Sequence, residues 1–190
     1  MFVIGFGDQI IELLKAKGVA PINFCLDATG NALGLSDYIR HTWSHDVLPV
    51  QFGGSPTKMR ITGNDSKSAE DRFDRFVSEL WYVAREWCKS GLVWVKDPPR
   101  ELKEQLEGRL YELVATSGKI KIESKERMKK RGLDSPDYGD VLCLLVHLVR
   151  SHSRGYIPSF NPGIKVDSLK QFKRNQSYFE ADYGVPYTKT

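Results

Sequence analysis

The chain has 190 residues, 41% of them hydrophobic and 27% charged, which suits one domain with a real core, or a domain with an appendage. No apolar run is long enough to span a bilayer, and Met1-Phe2-Val3-Ile4-Gly5 offers neither a basic n-region nor a small-residue cleavage site, so neither a membrane nor a secretion signal is expected. The well-separated cysteines Cys25, Cys88 and Cys143 give no disulfide or zinc framework and point to a reducing, cytoplasmic setting; the net charge of +4 is too mild to identify a polyanionic partner by itself.

In chain order, Asp8 to Lys17 reads as an amphipathic helix through Ile10, Ile11, Leu13 and Leu14, stopped by Gly18. Ile22 to Leu26 is an apolar run of strand length that ends in Asp27-Ala28-Thr29-Gly30. A second helix is expected from about Ser36 to Thr42, and a strand from Val47 to Phe52 before Gly53-Gly54. Gly54 to Lys67 is polar and loop-like. The longest helical pattern runs from Ser68 to Lys89, with Phe73, Phe76, Val77, Leu80, Trp81, Ala84 and Trp87 at spacings of three and four. Leu92 to Val95 reads as a brief strand, and Pro98-Pro99 opens a helix reaching about Val114. Lys119 to Glu123 alternates like a half-exposed strand. Ser135-Pro136-Asp137 then opens an apolar helix to about Arg150. Residues 151–190 carry little periodicity and read as a C-terminal tail after a domain spanning 1–150.

Helices alternating with short apolar strands predict an α/β domain with a largely parallel sheet, whose chemistry collects at the carboxyl ends of its strands. Asp27 stands where that rule points. Its carboxylate is either a ligand for a divalent cation or a turn aspartate bonded to its own backbone. Asp137 lies in the first turn of its helix, where a carboxylate complements the dipole and needs no other reason. Asp140 lies one turn deeper on the same face, at the head of Val141-Leu142-Cys143-Leu144-Leu145-Val146. A charge there asks for a partner, such as Mg²⁺ or Mn²⁺.

The run Lys119 to Gly132 holds seven basic residues against two acidic ones, directly ahead of Asp137 and Asp140. Lys121, Lys125, Arg127, Lys129, Lys130 and Arg131 are candidate phosphate contacts beside a metal site; a solvated helix face is the competing reading. His41 and His45 are four apart without a third ligand nearby and read as surface residues. His147 reads as core or rim. Trp81, Trp87, Phe73 and Phe76 fit helix-core spacing better than a base-stacking platform. No G-x-x-x-x-G-K-[ST] loop is present, so no ATP site is expected.

Three segments carry a resemblance. They are Ile10-Ile11-Glu12-Leu13-Leu14-Lys15 with Phe24-Cys25-Leu26-Asp27-Ala28-Thr29-Gly30; Val50-Gln51-Phe52-Gly53 with Asn64 and Ala69-Glu70; and Ile122 to Gly132 followed by Ser135-Pro136-Asp137-Tyr138-Gly139-Asp140. In that order, over about Gly7 to Val149, they resemble the C-terminal nuclease domain of phage terminase large subunits, of the ribonuclease H-like/integrase superfamily. The closing segment is the specific one.

The resemblance implies a ribonuclease H-like mixed sheet flanked by helices. It also implies two-metal hydrolysis of DNA phosphodiesters by a Mg²⁺- or Mn²⁺-dependent endonuclease that cuts concatemeric viral DNA for packaging. Asp27 and Asp140 would be catalytic metal ligands, and Asp137 an auxiliary ligand or cap. Lys125 and its basic neighbours would steer double-stranded DNA. The terminase small subunit and portal protein would be the partners, in the cytoplasm of a host carrying the phage or prophage.

The family's first catalytic aspartate sits on a strand ahead of the first helix. No strand-borne aspartate precedes that helix here, and Asp8 at the helix start is a poor substitute. Against the family, the chain is therefore expected to be N-terminally truncated, without the ATPase domain and the first nuclease strand. Two other readings stand beside the nuclease: a catalytically inactive fragment binding DNA or protein, and another ribonuclease H-like nuclease such as a junction resolvase.

Overall fold

The computed structural model describes residues 2–62 and 65–153. Asn64 and residues 154–190 of the expected tail lie outside the described residues.

Helix α1, Phe2–Ala16, begins earlier than its periodicity predicts and ends near Gly18, whose φ of +69° favours a residue without a Cβ. It lies against α2, Ala32–Thr42, at Gly7, where a Cβ would collide with the Tyr38 ring. The Tyr38 hydroxyl donates to Asp8 Oδ1 at 2.7 Å, so Asp8 is committed to the pairing of these helices. Ile11, Ile39 and Val47 form a small core there, flanked by Phe24, Leu26 and Trp43.

The run predicted as strand Ile22–Leu26 divides. Pro21–Asn23 form a 3₁₀ turn, and strand β1 is Cys25–Asp27. It pairs in parallel with β2, Leu48–Val50, with Asp27 opposite Val50.

The predicted helix Ser68–Lys89 also divides, into α3, Ala69–Arg72, and α4, Phe76–Lys89. Ser68 and Asp71 close a reciprocal capping box at the start of α3. Phe73 then leaves the helix in extended conformation and bridges Ile120, while Asp74 N–H donates to the Ile120 carbonyl at 3.1 Å. Burying Phe73 completely against the sheet outweighs continuing the helix through it.

Leu92–Val95 form no strand. Gly91 turns the chain at φ +70°, and the Leu92 and Val93 N–H groups fold back onto the Trp87 carbonyl. Helix α5, Arg100–Gly108, is shorter than predicted, because Tyr111–Leu113 form strand β3, antiparallel to β4, Ile120–Ile122. Among the described residues the strands form two two-stranded sheets and not one largely parallel sheet: β1 and β2 are parallel, β3 and β4 antiparallel. Helix α6, Lys125–Lys130, carries the basic run, and α7, Asp137–His152, follows.

The main core forms between α4 and α7: Phe76, Leu80, Trp81, Val83, Ala84 and Trp87 meet Leu142, Cys143, Leu144 and Val146. The core reading of Phe73, Phe76, Trp81 and Trp87 is correct. His147 sits edge-on to Phe76 at 5.0 Å between ring centres, and His41 and His45 are exposed.

Candidate functional site

Helix α7 and strand β1 are neighbours: the Cys25 thiol donates to the Leu144 carbonyl at 3.5 Å. This contact brings the strand ending in Asp27 against the helix that carries Asp140.

Asp140 is the buried member of the expected set, with its side chain 9% exposed. Oδ1 accepts from Trp81 Nε1 at 2.9 Å and from an Arg109 guanidinium nitrogen at 3.3 Å. Oδ2 is shielded from solvent without a hydrogen bond and lies 2.8 Å from Lys125 Nζ, an ion-pair contact. Burial disfavours a lone carboxylate by several kcal/mol, roughly, and the surrounding cations offset that cost. Arg109 itself is pushed below its ordinary range by burial, an effect that the Asp140 charge opposes.

Arg109 also donates through Nε to the Glu123 carbonyl at 3.0 Å. The Glu123 side chain, nearly inaccessible, takes both arms of Arg131 at 2.8 and 2.7 Å and the Leu110 N–H at 3.2 Å. Arg131 holds the Glu123 carboxyl below its usual range. The end of α5, the start of β3, the end of β4 and the first turn of α7 are thereby joined beneath the basic helix.

Asp27 is half-buried and accepts the Thr29 N–H at 2.8 Å, an aspartate turn. It thus meets the turn expectation as well as standing on the strand beside α7. Asp137 is exposed, opens α7 and accepts from the Ser135 hydroxyl at 2.6 Å; the N-cap is Pro136, not Ser135, and no side chain caps the helix.

The basic residues divide by partner. Lys121 and Arg127 pair with Glu112 at 3.8 and 2.7 Å, Lys125 with Asp140, and Arg131 with Glu123. Lys129 and Lys130 are exposed on α6.

Among the described residues, no group of three or more His, Cys, Asp or Glu side chains is gathered to hold a metal. Asp140 is the residue that could hold one, with the cation taking the place of the Lys125 ammonium on Oδ2. Mg²⁺ commonly takes only one or two carboxylates and completes its shell with water and phosphate oxygens. Oδ2 is a buried polar atom without a hydrogen bond, and the half-exposed Lys125 ammonium already shows that a cation is favoured there.

Two residues at this site were invisible as functional in the sequence. Trp81 reads correctly as core, yet its indole N–H serves Asp140. Arg109 falls inside a stretch predicted as helix; the signal for it was Gly108, which ends α5 and releases the next residue into extended backbone.

The fold, helices packed on two small sheets, is shared with the nuclease domain of a phage terminase large subunit. Among solved structures, the chain is similar to the nuclease domain of the large terminase subunit gp2 of bacterial virus Sf6, with a TM-score of 0.55 at 16% identity over 74% of this chain and 70% of that one. A point mutant of the same domain with manganese matches with a TM-score of 0.55 at 15% identity, over 74% and 71%. A calcium-containing mutant matches with a TM-score of 0.53 at 16% identity, over 74% and 70%. At such identities the likeness shows the fold. No protein-family model and no curated protein matches the chain.

Proposed function

We propose that this chain is the nuclease module of a phage or prophage DNA-packaging terminase, a Mg²⁺- or Mn²⁺-dependent endodeoxyribonuclease that cuts concatemeric viral DNA. The observation that carries the reading is Asp140: a buried carboxylate, on the terminase-nuclease fold, with one oxygen held by protein donors and the other turned to a cation beside a basic helix.

In this reading Asp140 and Asp27 hold the divalent ion, while Asp137, in the first turn of α7, is an auxiliary ligand. The chemistry supplied by that ion when bound is activation of a water and neutralisation of charge on the phosphodiester. Lys129 and Lys130 contact backbone phosphates of double-stranded DNA. Lys125, Lys121 and Arg127 extend the basic rim, and Arg131 fixes its base through Glu123. Such contacts position a duplex without reading its sequence. The small subunit and portal protein of the same packaging system would be its partners, in the host cytoplasm; no described helix is long and apolar enough to cross a membrane.

Plasmid nicking by purified protein in Mn²⁺ tests this. Wild type should nick, and Asp27→Ala and Asp140→Ala should each abolish nicking. Equal nicking by all three proteins would overturn the assignment.

A second reading rests on a specific observation. Asp140 is already paired with Arg109 and Lys125, and no three-carboxylate group is gathered among the described residues. A non-catalytic DNA-binding module needs no more than the basic helix. Salt-dependent binding without cleavage in any divalent ion would favour it. A strong preference for branched over linear duplex would favour a junction-resolving nuclease instead.

A further inference from the structure

We infer that Trp81 and Arg109 are positioning residues for Asp140: together they fix Oδ1, so that Oδ2, which the Lys125 ammonium contacts at 2.8 Å, is the oxygen left to exchange that ammonium for a metal cation. The inference rests on the reading of Asp140 as a metal ligand.

The two donors are of different kinds and come from different elements. Trp81 lies in the middle of α4, and its indole N–H reaches Oδ1 at 2.9 Å. Arg109 lies between α5 and β3, and its guanidinium reaches the same oxygen at 3.3 Å. Each is held in turn. The guanidinium carbon stands 4.5 Å from the Trp81 ring centre, within range of a cation–π contact. Arg109 Nε is tied to the Glu123 carbonyl. The indole also rests against Gly139, where any Cβ would collide with its outer ring carbons. The Gly139 N–H is itself engaged by Gln105 Oε1 at 3.0 Å. Gly139 is the residue before Asp140, so the indole is located against the same helical turn whose carboxylate it orients.

A carboxylate on a free side chain can rotate and offer either oxygen. With Oδ1 held by two buried donors, rotation breaks both bonds, and the metal-facing oxygen is set before a cation arrives. Groups that orient a metal ligand in this way typically change metal affinity by roughly 10–100-fold when removed.

The test is Mn²⁺ binding by the full chain without DNA, followed by the electron paramagnetic resonance signal of free Mn²⁺. The variants are Trp81→Phe, which keeps a ring over Gly139 but loses the N–H, Arg109→Lys, Arg109→Gln and Asp140→Asn. Melting temperature without metal is recorded for each, and binding is measured below that temperature. The expected result is loss of binding in Asp140→Asn and a roughly 10–100-fold higher half-saturating Mn²⁺ in Trp81→Phe and Arg109→Gln, with partial recovery in Arg109→Lys. A merely structural role would lower the melting temperature and leave the Mn²⁺ midpoint of the folded protein unchanged. Loss of binding in Asp140→Asn alone, with the other variants at the wild-type midpoint, overturns the positioning role and leaves the ligand assignment standing. Wild-type binding by Asp140→Asn overturns both. Should Trp81→Phe fail to fold, the two Arg109 variants decide.

Discussion

The thiol of Cys25 donates to the carbonyl of Leu144, 119 positions further along the chain. Burial raises the Cys25 pKa to about 11, so it remains a protonated donor at neutral pH. Through this contact the strand that ends in Asp27 lies against the helix that begins just before Asp140. Asp27 and Asp140, distant along the chain, thus stand on neighbouring elements.

Gly139 leaves no room for a side chain under Trp81. Gly139→Ala should force the indole outward and destabilise the protein by about 1–3 kcal/mol, the usual cost of overpacking. Urea denaturation monitored by tryptophan fluorescence measures it. An unchanged midpoint would mean that the indole has room to shift.

The Glu79 carboxylate, fully buried, pairs with Arg150 at 2.5 Å and also accepts from the Thr57 N–H and hydroxyl, both at 2.6 Å. Arg150 in turn donates to the Arg60 carbonyl at 3.1 Å. These bonds, with buried Ile61, pin the segment after Gly54 to the core although it forms neither helix nor strand. Glu79→Ala should cost roughly 3–5 kcal/mol, because it strands a buried guanidinium. It should also expose the segment to proteolysis. Glu112→Ala, which removes an exposed partner of Arg127, should change stability little.

Burial, with Arg150 nearby, depresses the His147 pKa to about 4 from an ordinary 6.5. Between those values the unfolded chain binds the proton and the folded one does not, so stability rises with pH across the window. The contribution is complete above about pH 6.5 and is lost as pH falls toward 4, at most roughly 3 kcal/mol. Unfolding free energies of wild type and His147→Gln, compared from pH 7 to 4, should show a shallower slope in the variant. Parallel curves would contradict the assignment.

Exposed Lys129 and Lys130 should act on DNA and not on the fold. Alanine at either should leave the melting temperature unchanged and reduce the salt-dependence slope of duplex binding by about one. Arg131→Ala should behave differently, since it strands buried Glu123, and should lower stability.

What was legible in the sequence was local. Apolar spacing located β2, β4 and α7 to within a few residues and the C-terminal ends of α1 and α2, and the positions of Asp27 at a strand end and Asp140 at a helix head followed from the same spacing. Three of the failures share one cause. Phe73 obeys helical spacing, yet it leaves the helix to bridge Ile120, a partner far away in sequence. Tyr111 to Leu113 continue a helical pattern, yet they pair with β4. Arg109 has no periodic signature, since its role depends on Asp140, Glu123 and Trp81 arriving from other elements. Local spacing cannot report a competition decided by tertiary contacts.

The most direct measurement is an anomalous difference map from crystals grown with Mn²⁺ and a short DNA duplex. A Mn²⁺ peak is expected within coordination distance of an Asp140 oxygen, with Asp27 and a phosphate oxygen as further ligands. A well-ordered duplex on α6 with Lys125 still on Asp140 and no Mn²⁺ between the two aspartates would contradict it.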